Sequence, residues 1–359
     1  MQSLLIFFLI HCQLKKMMNS VRKLLIQIIP QIILFILRRL PPEFSKKFSL
    51  KLLNFSFNNL RFSSIINPNI IRTEEKRVFV NGLSFKNNIG IAAGLDKEGK
   101  YFSALGALGF GFIEVGTFTP NAQKGNVKPR IKRLKNESII NRLGFNNPGI
   151  NQGIKNIRKN LNEFDGILGI SIGKNKDTDL KDAYKDYIFC MNVAYEVADY
   201  IAINISSPNT EGLRDLTSSE FIEILIYEIS LERKKLETEF NKYLPIFIKI
   251  SPDESDQNLF NLIHICENHG VDGFIVSNTS KGYAKGMSGG ISGRMLKDKS
   301  LDVLKKVNSV RHRNSTLISS GGISSKNDIQ ERMDNGADLV QIYTSFVFKG
   351  PLILEELLN

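Results

Sequence analysis

Short clusters of amide, hydroxyl and ammonium side chains recur along the chain after residue 90. The clusters are GLDK (94–97), Thr117, SIGKN (171–175), NISSPNT (204–210), Lys249, SNT (277–279), GG (321–322) and YT (343–344). A single Asn indicates no more than a turn. An Asn side chain also carries a donor beside an acceptor, so repeated amides suit the carbonyl and N–H edges of a planar ligand. We therefore expect the clusters to bind such a ligand.

The NISSPNT cluster holds the best candidate for proton transfer. Ser207 lies between two amide residues and precedes Pro208, which stiffens its backbone. A Ser-His-Asp set is not evident, because the four histidines are scattered: His11, His264, His269 and His312. By composition alone Ser207 is a turn residue. As a base it would need a relay to water, since an unassisted hydroxyl is a poor base.

Two glycine and hydroxyl clusters near the C-terminus indicate phosphate binding. Gly321-Gly322 and Tyr343-Thr344 follow the last two predicted strands, where barrel enzymes bind phosphate through main-chain N–H groups, and SGR (292–294) precedes them. The chain has no G-x-x-x-x-G-K-[ST] motif, and GFG (109–111) lacks the third glycine of a dinucleotide fingerprint. A mononucleotide with a phosphate therefore fits better than ATP or NAD.

These clusters are positioned by eight short apolar runs, each followed by a helical pattern. The predicted strands are 89–93, 112–116, 167–172, 200–205, 246–250, 273–277, 316–319 and 338–342. Runs that are apolar on both sides are typical of buried parallel strands. Eight β-α units predict an α/β fold, a (β/α)₈ TIM barrel with its active site at the carboxyl ends of the strands. The long gap at 117–166 predicts an excursion over the barrel mouth.

The positive charge is concentrated at the N-terminus. The chain has 48 Lys+Arg and 36 Asp+Glu, a net charge of +12, of which residues 1–77 hold 13 basic and 3 acidic side chains, or +10. A nucleic-acid coat would distribute its charge differently, so we expect an interaction tail and no nucleic-acid partner. The three cysteines and the histidines form no disulfide or zinc pattern, and no metal site is predicted.

Residues 24–37 form an apolar segment with basic flanks. Fourteen helical residues span about 21 Å, less than the roughly 30 Å of a hydrocarbon core, and Pro30 interrupts them. An interfacial helix or helix pair with cationic flanks is favoured over a spanning helix, and a cap packed on the barrel stays open. A second short helix is expected over 45–60. Residues 4–10 do not have the order of a secretory signal, and Met17 or Met18 is an alternative start.

The order of the motifs makes the chain resemble the class 2, quinone-using dihydroorotate dehydrogenases. The matching stretches are IAAGLDKEGK (91–100), GFGFIEVGTFTP (109–120), NRLGFNNPG (141–149), GISIGKNKDT (169–178), YIAINISSPNTEGLRDL (200–216), IKISPD (248–253), IVSNTS (275–280), GGISGR (289–294), SSGGISS (319–325) and LVQIYTSFVFKGP (339–351). Class 1 enzymes carry cysteine where this chain has Ser207, so that residue and the cationic apolar N-terminus both indicate class 2.

The resemblance implies oxidation of (S)-dihydroorotate to orotate in pyrimidine (UMP) biosynthesis, with hydride transfer to FMN and reoxidation by a membrane quinone. Ser207 matches the family's base, and Thr210 with Phe145 matches its proton relay. Residues matched to substrate binding are Lys97, Asn141, Arg142, Leu143, Gly144, Phe145, Asn204, Asn209, Asn278 and Thr279. Residues matched to FMN binding are Ala93, Gly94, Lys97, Thr117, Ser171, Asn204, Lys249, Ser277, Gly293, Gly322, Tyr343 and Thr344.

One position departs from the family pattern. Ser171 stands where the family usually has Asn, and a hydroxyl can make one of the amide's contacts but not both. We therefore expect somewhat weaker FMN retention.

The expected division is an N-terminal membrane-associating helical region (1–77) and an FMN-binding catalytic barrel (78–359). The enzyme would be a monomer, bound peripherally to anionic lipid on the cytosolic face of an inner or cell membrane. Three alternatives remain open. They are a cytosolic enzyme of the same barrel type with another electron acceptor, a flavin-free phosphate-binding isomerase or aldolase with Lys97 as Schiff-base former, and a non-catalytic membrane-bound barrel.

Overall fold

Eight parallel strands close into a barrel in the computed structural model, which describes residues 31–60, 77–210, 212–218 and 220–358. The strands are β1 Val78–Val80, β2 Leu83–Phe85, β3 Ile89–Ile91, β4 Phe112–Phe118, β5 Ile131–Leu134, β6 Ser138–Asn141, β7 Ile167–Ile172, β8 Tyr200–Asn204, β9 Ile246–Ile250, β10 Gly273–Val276, β11 Ser280–Ala284, β12 Met287–Gly293, β13 Thr316–Ser320 and β14 Leu339–Ile342. The helices are α1 Pro42–Leu60, α2 Phe102–Gly106, α3 Ile150–Asn160, α4 Ala183–Ala194, α5 Phe221–Phe240, α6 Asp256–Asn268, α7 Lys297–Val310, α8 Lys326–Asp334, α9 Thr344–Lys349 and α10 Ile353–Leu358.

The barrel confirms the predicted fold class. Its strands pair in the closed order β10-β13-β14-β3-β4-β7-β8-β9, and every neighbouring pair is parallel. All eight predicted runs are barrel strands, with ends that differ by at most two residues. Their side chains are buried on both faces, which is why each run is apolar without alternation.

Aromatic side chains fill the amino-terminal end of the barrel. Phe112, Tyr200 and Phe247 lie in one cluster with Phe85, which the β1–β2 hairpin supplies. Phe85 and Phe112 pack edge to face with ring centroids 5.4 Å apart. A Cβ at Gly90 would lie 2.5 Å from the Phe112 ring, so glycine is required at that position. This filled end leaves the carboxyl end as the open one.

The long segment between β4 and β7 forms the predicted excursion. Strands β5 and β6 form an antiparallel pair, and β12 pairs with β6 and with β11 to give a four-stranded sheet. The β11–β12 hairpin was not predicted, because SKGYAKGMSGGISG (280–293) has the glycine content of a loop. Asn141 and Gly293, at the ends of β6 and β12, contribute to the cavity at the barrel mouth.

The N-terminal region packs on the barrel beside this sheet. Residues 31–37 are helical, and α1, which contains the predicted helix 45–60, contacts α2 and β5. Arg133 of β5 donates to the carbonyls of Leu37 (3.0 Å) and Leu40 (2.8 Å), which fixes the turn between the two helices. Residues 24–30 of the predicted apolar segment lie outside the described residues. Within the described ranges, none of the helices has the length and hydropathy of a membrane span.

Candidate active site

A deep cavity opens at the carboxyl ends of the barrel strands, between the barrel, the β6–β12 sheet and α1. Nearly every residue predicted to bind substrate or FMN lines it, and so does Ser207. The exceptions are Arg142, Ser171 and Thr210. The guanidinium of Arg142 donates to the carbonyl of Pro129 (3.2 Å) instead. The fold therefore brings together positions as distant in the chain as Ala93 and Thr344.

Asn204 is at the centre of a hydrogen-bonded row across three strand ends. Its amide nitrogen donates to Thr117 Oγ1 (2.9 Å), and its oxygen accepts from Asn278 Nδ2 (3.3 Å). The Thr117 hydroxyl also bonds the Ser171 hydroxyl at 2.9 Å. Ser171 is fully buried behind Thr117, so it stands behind the cavity wall and orients a residue that lines it.

A second amide pair bridges the barrel and the excursion. Asn209 Nδ2 donates to Asn141 Oδ1 (3.1 Å), and Asn141 Nδ2 donates to the Gly290 carbonyl (3.2 Å). Each amide keeps hydrogen-bonding capacity that these contacts do not use. The two pairs, Asn204 with Asn278 and Asn141 with Asn209, offer donors and acceptors to a planar ring.

Ser207 is buried at the edge of this amide set, with its hydroxyl almost free. Within the described part of the chain, its one hydrogen bond is a long one of 3.4 Å, donated by the Asn209 amide. Thr210 Oγ1 is buried with no hydrogen-bond partner among the described residues. Phe145 is buried beside the cavity in a left-handed conformation (φ +47) that few non-glycine residues adopt. A buried hydroxyl without a partner needs a ligand or a water to satisfy it.

Lys249 is tied to a buried carboxylate that the sequence analysis did not identify. Glu114, wholly inaccessible in β4, accepts from Lys249 Nζ (3.0 Å), Tyr200 OH (3.1 Å) and Gln341 Nε2 (2.7 Å). Gln341 Oε1 has no partner among the described residues, and both Gln341 and Lys249 reach the cavity wall. A charged residue inside an apolar strand was the available signal, because such a charge needs a buried partner.

Lys97 is a second lysine of the cavity wall, and no described residue forms a hydrogen bond or ion pair with it. Loss of contact with water, together with the smaller effect of the charges of Lys46 and Arg130, lowers the pKa of Lys97 to about 7. Lys46, from α1, donates to the Gly94 carbonyl, and burial lowers its pKa to about 8. A pair of desolvated lysines at one cavity mouth favours an anionic ligand.

The predicted phosphate clusters meet on one side of the cavity. Gly322 has φ +73, and a Cβ there would lie 2.4 Å from Lys297 Cα, so only glycine permits this turn. The main-chain N–H groups of Gly322, Tyr343 and Thr344 find no acceptor within the described part of the chain. The Thr344 hydroxyl bonds Ser292 Oγ (2.8 Å), which connects this turn to the end of β12. Free amides on a tight turn suit phosphate oxygens.

Across the described ranges, no cluster of His, Cys, Asp and Glu has the composition to hold a metal ion.

A closed (β/α)₈ barrel with a cavity of amides, lysines and free main-chain N–H groups at its carboxyl end has the architecture of a barrel enzyme. The sequence profile of the dihydroorotate dehydrogenase family matches residues 76–359. The chain therefore belongs to the dihydroorotate dehydrogenase family and is an oxidoreductase. This confirms the resemblance inferred from the motifs. It also removes the isomerase or aldolase and the non-catalytic barrel from the alternatives.

Individual relatives agree with the profile. The Citrobacter koseri protein named dihydroorotate dehydrogenase (quinone) is 46% identical over 292 residues, 79% of this chain and 86% of that protein. The Proteus mirabilis protein of the same name is 41% identical over 329 residues, 89% of this chain and 96% of that protein. A crystal structure of Eimeria tenella DHODH in complex with ferulenol superposes with a TM-score of 0.77 at 32% identity, covering 87% of this chain and 89% of that chain.

Proposed function

We propose that this chain oxidises (S)-dihydroorotate to orotate with bound FMN, and that a membrane quinone reoxidises the flavin. The proposal depends most on one observation. Ser207, the unpaired Lys97 and the four amide side chains Asn141, Asn204, Asn209 and Asn278 line the same cavity as Lys249 and the Gly322 turn. One end of that cavity suits a phosphate, and the other end suits a carboxylate-bearing ring.

The residues fit FMN at three of its parts. The free N–H groups of Gly322, Tyr343 and Thr344 would hold the phosphate, with Gly293 and Ser277 beside them. Lys249 would lie against the ring edge that gains negative charge, where a fixed cation is most effective. Ala93, Gly94, Thr117 and Asn204 would complete the wall. FMN, when bound, would supply a hydride acceptor, which takes two electrons and one proton from the substrate and passes the electrons to the quinone.

The amide residues and Lys97 would position dihydroorotate. Asn141, Asn209 and Asn278 offer donors and acceptors on the cavity wall, which Leu143, Gly144, Phe145 and Thr279 also line. Lys97 has no hydrogen-bond or ion-pair partner among the described residues and a pKa lowered to about 7, so an anionic ligand would restore its full charge. Ionic pairing to the substrate carboxylate would thus fix one end of the ring.

Ser207 would remove the proton beside the ring carbonyl. Its hydroxyl takes that proton and releases its own, so one proton must leave the cavity. Thr210, a buried hydroxyl with no partner among the described residues, and the buried Phe145 would confine one water that carries this proton away. Ser171 would act on FMN indirectly, because it supports the Thr117 hydroxyl from behind.

The quinone would reach the cavity along α1. The outer wall includes Pro42 and Lys46 of α1, Ile131 and Arg133 of β5, and Val347 of α9. Large apolar side chains on the N-terminal helices are exposed, at Ile32, Phe35, Ile36, Phe44, Phe48 and Phe55. Such a surface, with lysines nearby, suits the interface of an anionic bilayer on the cytosolic side. We therefore propose that residues 1–77 hold the barrel, as a monomer, against the membrane.

A titration of electron acceptors tests this function. The purified protein should be yellow, lose its flavin absorbance on anaerobic addition of dihydroorotate, and regain it with a quinone in detergent or lipid. Fumarate and NAD⁺ should not restore the absorbance, which separates this proposal from a cytosolic enzyme of the same barrel type. A protein that binds no FMN, or one that only fumarate reoxidises, would contradict the proposal.

A further inference from the structure

Arg214 occupies an unusual place beside the loop that carries Ser207. It lies in the 3₁₀ turn Leu213–Ser218, seven residues after Ser207, and its side chain is only 9% exposed. All three guanidinium nitrogens are used. Nε donates to the Ser206 carbonyl (3.0 Å), Nη2 to the Thr279 carbonyl (2.9 Å) and Nη1 to Asp253 Oδ2 (2.6 Å). One side chain thus connects the loops that follow β8, β9 and β10.

The two carbonyls belong to the loops that carry Ser207 and Asn278. The Ser206 carbonyl belongs to the peptide group that leads into Ser207, so holding it fixes the direction from which the Ser207 side chain leaves the backbone. The Thr279 carbonyl belongs to the loop of Asn278, whose amide bonds Ser206 Oγ (3.0 Å) and Asn204 Oδ1 (3.3 Å). A planar guanidinium that binds both carbonyls therefore fixes the base loop relative to the substrate loop.

The contacts of Arg214 with the Ser206 and Thr279 carbonyls form a bridge between the two loops, and Asp253 anchors it. Its carboxylate accepts from Ser280 Oγ (2.5 Å), the Lys281 amide (2.6 Å), Lys299 Nζ and Arg214. Burial alone would raise the pKa of Asp253, but these hydrogen bonds outweigh that effect and lower it to about 2. Asp253 is therefore ionised throughout the neutral range and holds Arg214 with a charge-assisted bond.

We propose that Arg214 is a positioning residue for dihydroorotate oxidation, which holds Ser207 and the substrate loop at a fixed distance while anchored on Asp253. The proposal rests on the function proposed above, in which Ser207 is the base. Arg214 lines no part of the cavity and acts only through the two carbonyls. Its effect should consequently fall on substrate oxidation and spare flavin reoxidation.

Lys299 supplies a matched control. It bonds the same Asp253 carboxylate and Ser280 Oγ (3.1 Å), but its contacts do not include the carbonyls of Ser206 or Thr279. Arg214→Lys keeps the charge beside Asp253 but cannot reach three acceptors at once. Lys299→Gln removes one positive charge beside Asp253 and leaves the contacts of Arg214 with the Ser206 and Thr279 carbonyls intact. The two variants therefore separate loss of the bridge from general weakening of the cluster.

The test measures the two half-reactions of the FMN-loaded full chain by stopped flow, together with hydrogen–deuterium exchange of residues 204–210. Arg214→Lys should slow flavin bleaching by dihydroorotate at least about tenfold and raise exchange in 204–210, with reoxidation by quinone and FMN content unchanged. Lys299→Gln should change none of these. Equal bleaching rates in Arg214→Lys and the unsubstituted protein, or equal losses in both half-reactions, would overturn the proposal.

Ser207→Ala distinguishes failure of this inference from failure of the proposed function. If Ser207→Ala bleaches at the full rate, the base assignment itself is wrong. If Ser207→Ala is slow and Arg214→Lys is not, only the role of Arg214 is wrong. A combined variant should be no slower than Ser207→Ala alone, because Arg214 acts through Ser207. If Arg214→Lys does not fold, Asp253→Asn, which retains the shape of the anchor without its charge, should show the same selective loss. Full-rate bleaching by that variant would overturn the proposal.

Discussion

The Glu114–Lys249 pair allows a quantitative prediction, because both side chains are almost wholly buried and nothing else in the cluster is charged. The side chains are 0% and 6% exposed, and their charged atoms lie 3.0 Å apart. At an effective dielectric constant of about 20, two unit charges at that distance attract by about 5–6 kcal/mol. Removing one partner leaves the other buried and unpaired, at a cost of about 3–5 kcal/mol.

Glu114→Gln and Lys249→Met should therefore each destabilise the fold strongly, but the double variant should lose much less than their sum. We expect a coupling free energy of about 2–3 kcal/mol from the double-mutant cycle. Urea unfolding followed by circular dichroism, at several FMN concentrations extrapolated to zero, gives the free energies. Tyr200→Phe is the matched control. It removes a neutral donor to the same carboxylate, and we expect a loss of about 1 kcal/mol.

Glu114→Gln should also change the flavin. With its counter-charge gone, Lys249 would favour the more negative, reduced form of FMN, so the midpoint potential should rise. Each 1.4 kcal/mol of this preference corresponds to about 30 mV for a two-electron couple. A coupling free energy below about 0.5 kcal/mol would show that the two residues act independently. A potential that stays constant or falls would contradict the electrostatic role of Lys249.

Three further predictions concern binding and access to the site. The pKa of Lys97 is lowered to about 7. Above that pH the lysine must therefore take up a proton from water when an anion binds beside it. Orotate affinity, measured from the flavin spectrum, should then fall by up to about tenfold per pH unit, and Lys97→Met should remove this dependence. Ser171→Asn should tighten FMN retention measured by ultrafiltration. An unchanged FMN affinity would refute the expectation that serine at this position weakens FMN retention. Deletion of residues 1–60 should abolish reduction of long-tailed quinones but spare soluble dyes, and equal activity with both acceptors would exclude a path along α1.

The barrel was predictable because its strands obey a local rule. Runs such as 89–93 are apolar on both sides, and each run is followed by a polar cluster that marks its carboxyl end. The residues that line the cavity follow from that rule and from the family motifs. Whether each of them binds FMN or dihydroorotate stays a prediction, as does the division at residue 77.

Glu114, Lys46 and the β11–β12 hairpin support the site through contacts with residues that are distant in the sequence. Their roles could therefore not be predicted from a local pattern. Glu114 lies inside a strand, and its partner Lys249 is 135 residues away. Lys46 reaches the site from a helix that precedes the barrel, and its contact with the Gly94 carbonyl depends on how that helix packs. The β11–β12 hairpin is held by pairing with β6 and not by its own glycine-rich sequence.

Single-turnover reduction of the flavin by dihydroorotate is the most direct test of the central claim, that Ser207 drives dihydroorotate oxidation at a flavin bound in this cavity. Wild type, Ser207→Ala and the neighbouring control Ser206→Ala would be mixed anaerobically with dihydroorotate at equal FMN content. The account predicts that Ser207→Ala bleaches at least about a hundredfold more slowly than wild type. Ser206→Ala should stay within about tenfold of wild type, because the hydrogen bonds of its hydroxyl to described residues are those with Asn204 and Asn278. Bleaching of Ser207→Ala at the wild-type rate, or no bleaching of the wild-type protein, would contradict it.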